Sequence, residues 1–299
     1  MGIARAFHGP ASTALMPSLV PAQDFANAVA WSSSSWQVAV LGGPALGGLL
    51  YATGGASCVY IAALSSQAIA VLVFSLIATR PKPTIIDAPP RSRELSAGLR
   101  YIWRNPVILG AISLDLFAVL FGGAVALLPI YARDILHVGP QGLGLLRSAP
   151  ALGALMVGIL LAHRPLERHA GHAMLLGVGV FGLATIAFGL SRSFVVSVAA
   201  LLVTGAADMV SVFVRQHLVQ LRTPDAMRGR VAAVNSVFVG ASNELGEFES
   251  GLAATALGVV PAVVAGGLAT CIVVITWALL FPALRRVDRL EPARLAHQD

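Results

Sequence analysis

An all-α bundle of membrane-spanning helices is the fold class this sequence predicts, and three observations predict it. The 299-residue chain is 57% apolar and only 11% charged, with mean hydropathy +0.80. Its uncharged runs reach about twenty residues, the length at which an α-helix crosses the hydrocarbon core of a bilayer. The basic residues gather on every second loop. Finally, two stretches beginning at Pro21 and Pro224 align without a gap at a constant offset of 203 residues. In that register Ala30 matches Ala233, Ser33 matches Ser236, Gly43 matches Gly246, Gly48 matches Gly251 and Gly55 matches Gly258. A repeat of this kind in a membrane protein marks two related halves, an arrangement typical of transporters.

In chain order, residues 3–19 read as the end of one span. Eight full spans follow, at about 25–51, 56–79, 106–131, 140–162, 171–191, 193–216, 229–257 and 259–283. The repeat assigns the first two of these to positions five and six of a six-helix half. Residues 1–79 are therefore expected to be an incomplete N-terminal half, holding the end of helix four with helices five and six. Residues 80–105 form a cytoplasmic linker, 106–284 a complete C-terminal half of six helices, and 285–299 a cytoplasmic tail. On this symmetry the sequence reads as the C-terminal two-thirds of a twelve-span protein.

The first full span carries Gly42, Gly43, Pro44, Ala45, Leu46, Gly47 and Gly48. Pro44 lacks a backbone donor and is expected to kink the helix, while the small residues admit a close neighbour. Upstream, Ser32 to Ser35 and Gln37 make a polar stripe that suits either a substrate path or interhelical hydrogen bonds. The linker opens on Pro81, Pro83, Pro89 and Pro90, which no helix tolerates. From Arg91 to Arg104 the pattern turns helical, with Leu95, Leu99, Ile102 and Trp103 to one side. That suits a short helix in the inner interface, its arginines near anionic headgroups, or equally a solvated linker helix.

The formal net charge of +6 raises nucleic acid as a partner, and the placement of the charges removes it. Arg80, Lys82, Arg91, Arg93, Arg100 and Arg104 lie between spans two and three, and Arg164 and Arg168 between four and five. Arg215, Arg222, Arg228 and Arg230 bracket the loop between spans six and seven, and Arg285, Arg286, Arg289 and Arg294 fill the tail. The intervening loops hold only Arg133 and Arg192. This is the positive-inside pattern, which makes those loops and the C-terminus cytoplasmic. Cys58 and Cys271 do not correspond under the repeat and read as small apolar packing residues rather than a disulfide. No basic segment with an apolar core and a small-residue cleavage site opens the chain, so a secretory signal peptide is not expected.

Charge inside a span is expensive, so function is sought there. The string NELGEFESG carries Asn243, Glu244, Glu247 and Glu249, with Glu244 and Glu247 three apart on one face. Asp115 and Asp208 are single acids amid apolar neighbours, and Arg147 is the cation well inside the second half. At about 1.5 Å per residue, Asp115 and Asp208 lie at similar depth near mid-membrane. Arg147 and Glu247 fall in the outer half, so Arg147 is expected to pair with Glu247 or Glu244. The other acids would line a cavity and carry protons; the alternative is that all of them only hold helices together.

Other chemistry finds no support. No glycine-rich loop ends in Gly-Lys-Ser or Gly-Lys-Thr, and Lys82 is the one lysine, so nucleotide hydrolysis has no motif. His163, His169 and His172 crowd one loop without the cysteines or carboxylates of a metal site. Neither an enzyme, a cofactor nor a metal is expected. The partners expected are the lipid bilayer, a small-molecule substrate and protons.

Three strings carry a family resemblance: RAFHGPASTALMPSLVP at Arg5 to Pro21, LDLFAVLFGGAVALLPIYARDIL at Leu114 to Leu136, and RTPDAMRGRVAAVNSVFVGASNELGEFESG at Arg222 to Gly251. The chain resembles the major facilitator superfamily, in the bacterial branch of the enterobactin exporter and related secretion effectors. That resemblance implies two six-helix bundles about a central cavity, alternating access without ATP, and a bacterial inner-membrane location. The string around Gly43, Pro44, Gly47 and Gly48 resembles the antiporter motif of the family's fifth helix, which implies export driven by proton entry. Ala39 stands where a glycine is usual, and HRPLERHAGH at His163 to His172 is a degenerate form of a loop motif rich in Gly, Asp and Arg. An alternative of another class is a truncated membrane fragment without transport of its own.

Overall fold

The computed structural model describes residues 24–76, 91–164, 166 and 168–288. The expected partial span at 3–19, the proline-rich opening of the linker and the tail beyond 288 lie outside the described residues. All regular elements among the described residues are helical. They fall into two units, Met1–Ala88 and Pro89–Asp299.

The first unit holds α1, Phe25–Ser75, a 51-residue run that is two rods joined at Gly55 (φ 65°, ψ −168°). The dihedrals stay helical through Pro44, so the expected kink is displaced to the glycine. Within this unit a Cβ on Gly43 or Gly47 would meet no atom within 4 Å.

The second unit begins with α2 (Arg91–Arg104) and continues with α3 (Pro106–Phe121). Asn105 caps α3 by accepting from the Ile108 N–H at 3.3 Å, and Pro106 takes the first turn, where its missing donor costs nothing. After Gly122 and Gly123 the same span changes winding. A 3₁₀ turn at Ala124–Leu127 leads through Leu128–Ile130 to a π-helical segment at Tyr131–Ile135. Then come α4 (Pro140–His163), α5 (Ala170–Leu190), α6 (Phe194–Arg222), α7 (Asp225–Leu257), α8 (Val259–Leu280) and a terminal turn, α9 (Pro282–Arg285).

The junction of α7 and α8 repeats the break in α1. Gly258 has φ 88° and ψ 159°, and it is the residue that matches Gly55 at the 203-residue offset. Among the described glycines these two alone have positive φ. That region of backbone space is open essentially to glycine, and forcing another residue into it costs about 1–3 kcal/mol. Gly258→Ala should therefore lower the unfolding free energy by about that amount, read as a fall in melting temperature of the purified protein. An unchanged melt would show the corner to be unstrained.

Six described stretches are long and apolar enough to cross a membrane: Gly42–Ser75, Pro106–Ile135, Pro140–His163, Ala170–Leu190, Phe194–Arg222 and Val259–Leu280. The chain is thus a multi-pass membrane protein. The sequence count of eight full spans differs because α1 contributes one stretch here and α7, with its asparagines, serines and charged residues, is not apolar enough to qualify. At 33 residues α7 is nonetheless about 50 Å long, ample for a crossing.

Lipid tails are as apolar as leucine, so helices in a bilayer associate through close packing of small residues. In the second unit α6 lies between α4 and α5, α5 packs in turn on α8, and α3 meets α6, α7 and α8. Glycine pairs mark the crossings. Cβ atoms on Gly153 and Gly205 would strike the backbones of Leu202 and Pro150 across α4 and α6. Gly182 and Gly267 face each other across α5 and α8, each within about 3 Å of the other's carbonyl once a Cβ is added. Where the chain leaves α3 and passes α7, a Cβ on Gly123 would meet the Gly246 carbonyl at 2.8 Å, and one on Gly246 the Val119 and Leu120 carbonyls at 3.0 Å. Polar links add to these: the Trp277 Nε1–H donates to Ser113 Oγ at 2.9 Å, and the buried Tyr131 hydroxyl donates to the Gly189 carbonyl at 2.8 Å. At one end α2 docks on α7. Ile102 is buried with Val231 and Val234, while Leu99 and Trp103 are exposed.

Candidate functional site

The switch of winding after Gly122 opens space inside the second unit. A cavity of about 220 Å³ lies between α3, α4, α5, α6 and α7. Apolar groups line most of it, among them Val119, Pro150, Phe181 and Leu201. Its hydroxyls are already committed, Thr185 to the Phe181 carbonyl at 2.9 Å and Thr204 to the Leu201 carbonyl at 2.6 Å. Three polar side chains remain for a ligand or a proton: Asp208 from α6, with Asn243 and Glu247 four residues apart on α7.

Two turns further along α6 stands a buried ionic cluster. Arg215 Nη2 lies 3.3 Å from Asp115 Oδ2, with side chains 5% and 6% exposed. Its Nη1 donates to Asn235 Oδ1 at 2.9 Å. One guanidinium thus ties α6 to α3 and to α7. Asp208 interacts electrostatically with both Asp115 and Arg215, so the cluster and the cavity form one electrostatic system.

The family model for transmembrane secretion effectors matches residues 1–298. The chain belongs to this family of the major facilitator superfamily. It is 30% identical over 220 residues to the enterobactin exporter EntS of Escherichia coli O1:K1, an alignment covering 73% of this chain and 52% of the relative. The EntS of Shigella boydii serotype 18 gives 30% over 219 residues with the same coverage. This secretion-effector chain therefore spans about half the length of the curated relatives it matches.

The sequence-predicted residues divide. Asp208 and Glu247 meet at the cavity, and Asp115 lies beside them in the ionic cluster. Glu244 does not line the cavity; the partner of Glu247 there is Asn243, and all three side chains are exposed. Both spacings fit a helical face, and the register of α7 against α3 selects the four-residue one.

The expected pairing of Arg147 with Glu247 or Glu244 is not made. Arg147 is exposed on α4, and the ion pairs among the described residues do not include it. The paired cation is Arg215, which the loop count had set at a helix end. In fact α6 runs on through Arg222, which leaves Arg215 only 4% exposed inside the bundle. A signal was present: Asp208, Ser211 and Arg215 recur at three and four residues, the spacing of one helical face. Asn235 left no comparable trace, since its role depends on where α7 crosses α6.

Proposed function

We propose that this chain is the transporting core of a proton-coupled exporter of small hydrophobic or siderophore-like molecules in the bacterial inner membrane, with its C-terminus in the cytoplasm. The observation that carries the reading is the meeting of Asp208 and Glu247 in one apolar-walled cavity. A carboxyl in such surroundings can take up a proton from one side and release it to the other. The apolar walls suit a hydrophobic guest. Family membership and relatives named as enterobactin exporters support the same direction. Asp115, Arg147 and Glu244 belong to the proposed polar pathway at its edges, and the string with Gly43, Pro44, Gly47 and Gly48 to the antiport element of α1.

The test is proton movement tied to substrate. The purified chain is reconstituted into liposomes holding a pH-sensitive dye, a pH gradient is imposed, and enterobactin is added as the probe. Substrate-dependent dissipation of the gradient is expected. Asp208→Asn and Glu247→Gln should each reduce it at least tenfold, while Glu244→Gln should cost less because that side chain lies off the cavity. Equal activity of Glu247→Gln and the parent chain would remove the cavity from the mechanism. A folded parent chain with no substrate-linked proton flux would refute the reading.

A further inference from the structure

The cavity and the ionic cluster share more than proximity. Asp208, Ser211 and Arg215 occupy one face of α6, with about 10.5 Å of rise between the outer two. Helical side chains lean toward the N-terminus of their helix, so a long side chain at 215 reaches back along α6 toward Asp208. In the structure the Arg215 guanidinium uses Nη2 for Asp115 and Nη1 for Asn235, which leaves its buried Nε–H without a hydrogen-bond partner. One turn nearer the cavity, the Ser211 hydroxyl is buried and equally unpartnered. Two acids, Asp115 and Asp208, thus stand within the field of a single buried cation that has a donor to spare.

We propose that Arg215 is a positioning residue shared between these acids, and that its choice between them sets how α3 and α7 pack on α6. This rests on the proton-coupled reading of the cavity. With a proton on Asp208, that carboxyl is neutral, and Arg215 stays with Asp115 and Asn235, as observed. When Asp208 gives its proton to the aqueous phase, its carboxylate competes for the cation. Arg215 then turns back along α6 past Ser211, and Asn235 on α7 loses its donor. One proton is bound and one released per cycle, and no other bond changes. The ionisable groups around Asp208 are Asp115 from α3, Arg215 from its own helix and Glu247 from α7; α4 and α5 present only Pro150, Phe181, Thr185 and Phe188 to the cavity.

Hydrogen–deuterium exchange of the full chain in lipid nanodiscs, followed over the α7 peptide around Asn235, tests this without any transport assay. After correction for intrinsic rates, the parent chain should exchange more slowly there at acid pH. Asp208→Asn removes the competitor; it should slow exchange at least threefold at the higher pH and abolish the pH response. Asp115→Asn should accelerate exchange at least threefold. Glu247→Gln should keep the parental pH response, as should Arg215→Lys, whereas Arg215→Gln should lose it. A fixed structural pair would give a different result: Asp208→Asn would match the parent, or Arg215→Gln would keep the response, and either outcome overturns the proposal. If Asp115→Asn does not fold, the Asp208 and Glu247 variants still decide. The expected exchange pattern in a chain that moves no protons with substrate would sink the transport reading alone, and the converse would sink the shared arginine alone.

Discussion

Gly205→Val should prevent the second unit from assembling. A Cβ at this position would collide with the backbone of Pro150, and one at Gly153, on the facing helix, with the Leu202 carbonyl. Neither obstacle is the free end of a flexible side chain, so α4 and α6 must separate to make room. Overpacking in a core that can adjust costs about 1–3 kcal/mol, and a backbone clash between two long helices should exceed that range. Separation also removes the dispersion contacts on which helix association in lipid depends. Because α6 carries both Asp208 and Arg215, the cavity and the ionic cluster would be lost with the crossing. The variant should therefore give little monodisperse protein, and what remains should melt far below the parent. Gly179→Val is the control, since a Cβ there meets nothing within 4 Å. Equal melting of Gly205→Val and the parent would show that close approach at this crossing is dispensable.

Arg215→Ala should be the most damaging change that leaves the helix crossings intact. It strands Asp115 at 4% exposure and strips Asn235 of its donor. Removing one partner of a buried ion pair typically costs about 3–5 kcal/mol, because the remaining charge has neither water nor counter-charge. Adding Asp115→Asn to an Arg215→Gln background should recover much of that loss, since both charges then vanish together. A double-mutant cycle in thermal unfolding measures the coupling. Additive losses would mean that the two residues do not act as a pair, whatever their separation in the structure.

Much of the fold was legible because a bilayer leaves little choice. Backbone groups in lipid must be satisfied within the segment, so apolar length converts directly into helices, and α4, α5 and α8 begin and end within a residue or three of the expected spans. The repeat carried backbone detail as well: the match of Gly55 to Gly258 reappears as the same glycine-only corner in both places. The candidate site was legible only in part. Asp115, Asp208 and Glu247 stood out because charge is rare in spans, and depth alone put the two aspartates at one level. Depth could not, however, say which cation they meet. Arg147 was chosen for its position along α4, but it sits on an exposed face; Arg215 was assigned to a helix end, but α6 continues past it.

By itself, then, the sequence determined that this is a helical membrane protein, where most of its helices lie, and which acids are out of place in lipid. These follow from one-dimensional quantities: apolar length, charge spacing and repeat register. The tertiary structure alone decided that Arg215 binds Asp115 and Asn235, that Asn243 rather than Glu244 joins Glu247 at the cavity, and that Gly205 meets Pro150. Each of these depends on the rotation of one helix about its axis against another. That rotation is set by the close packing of many small residues at once, and no single stretch of sequence encodes it.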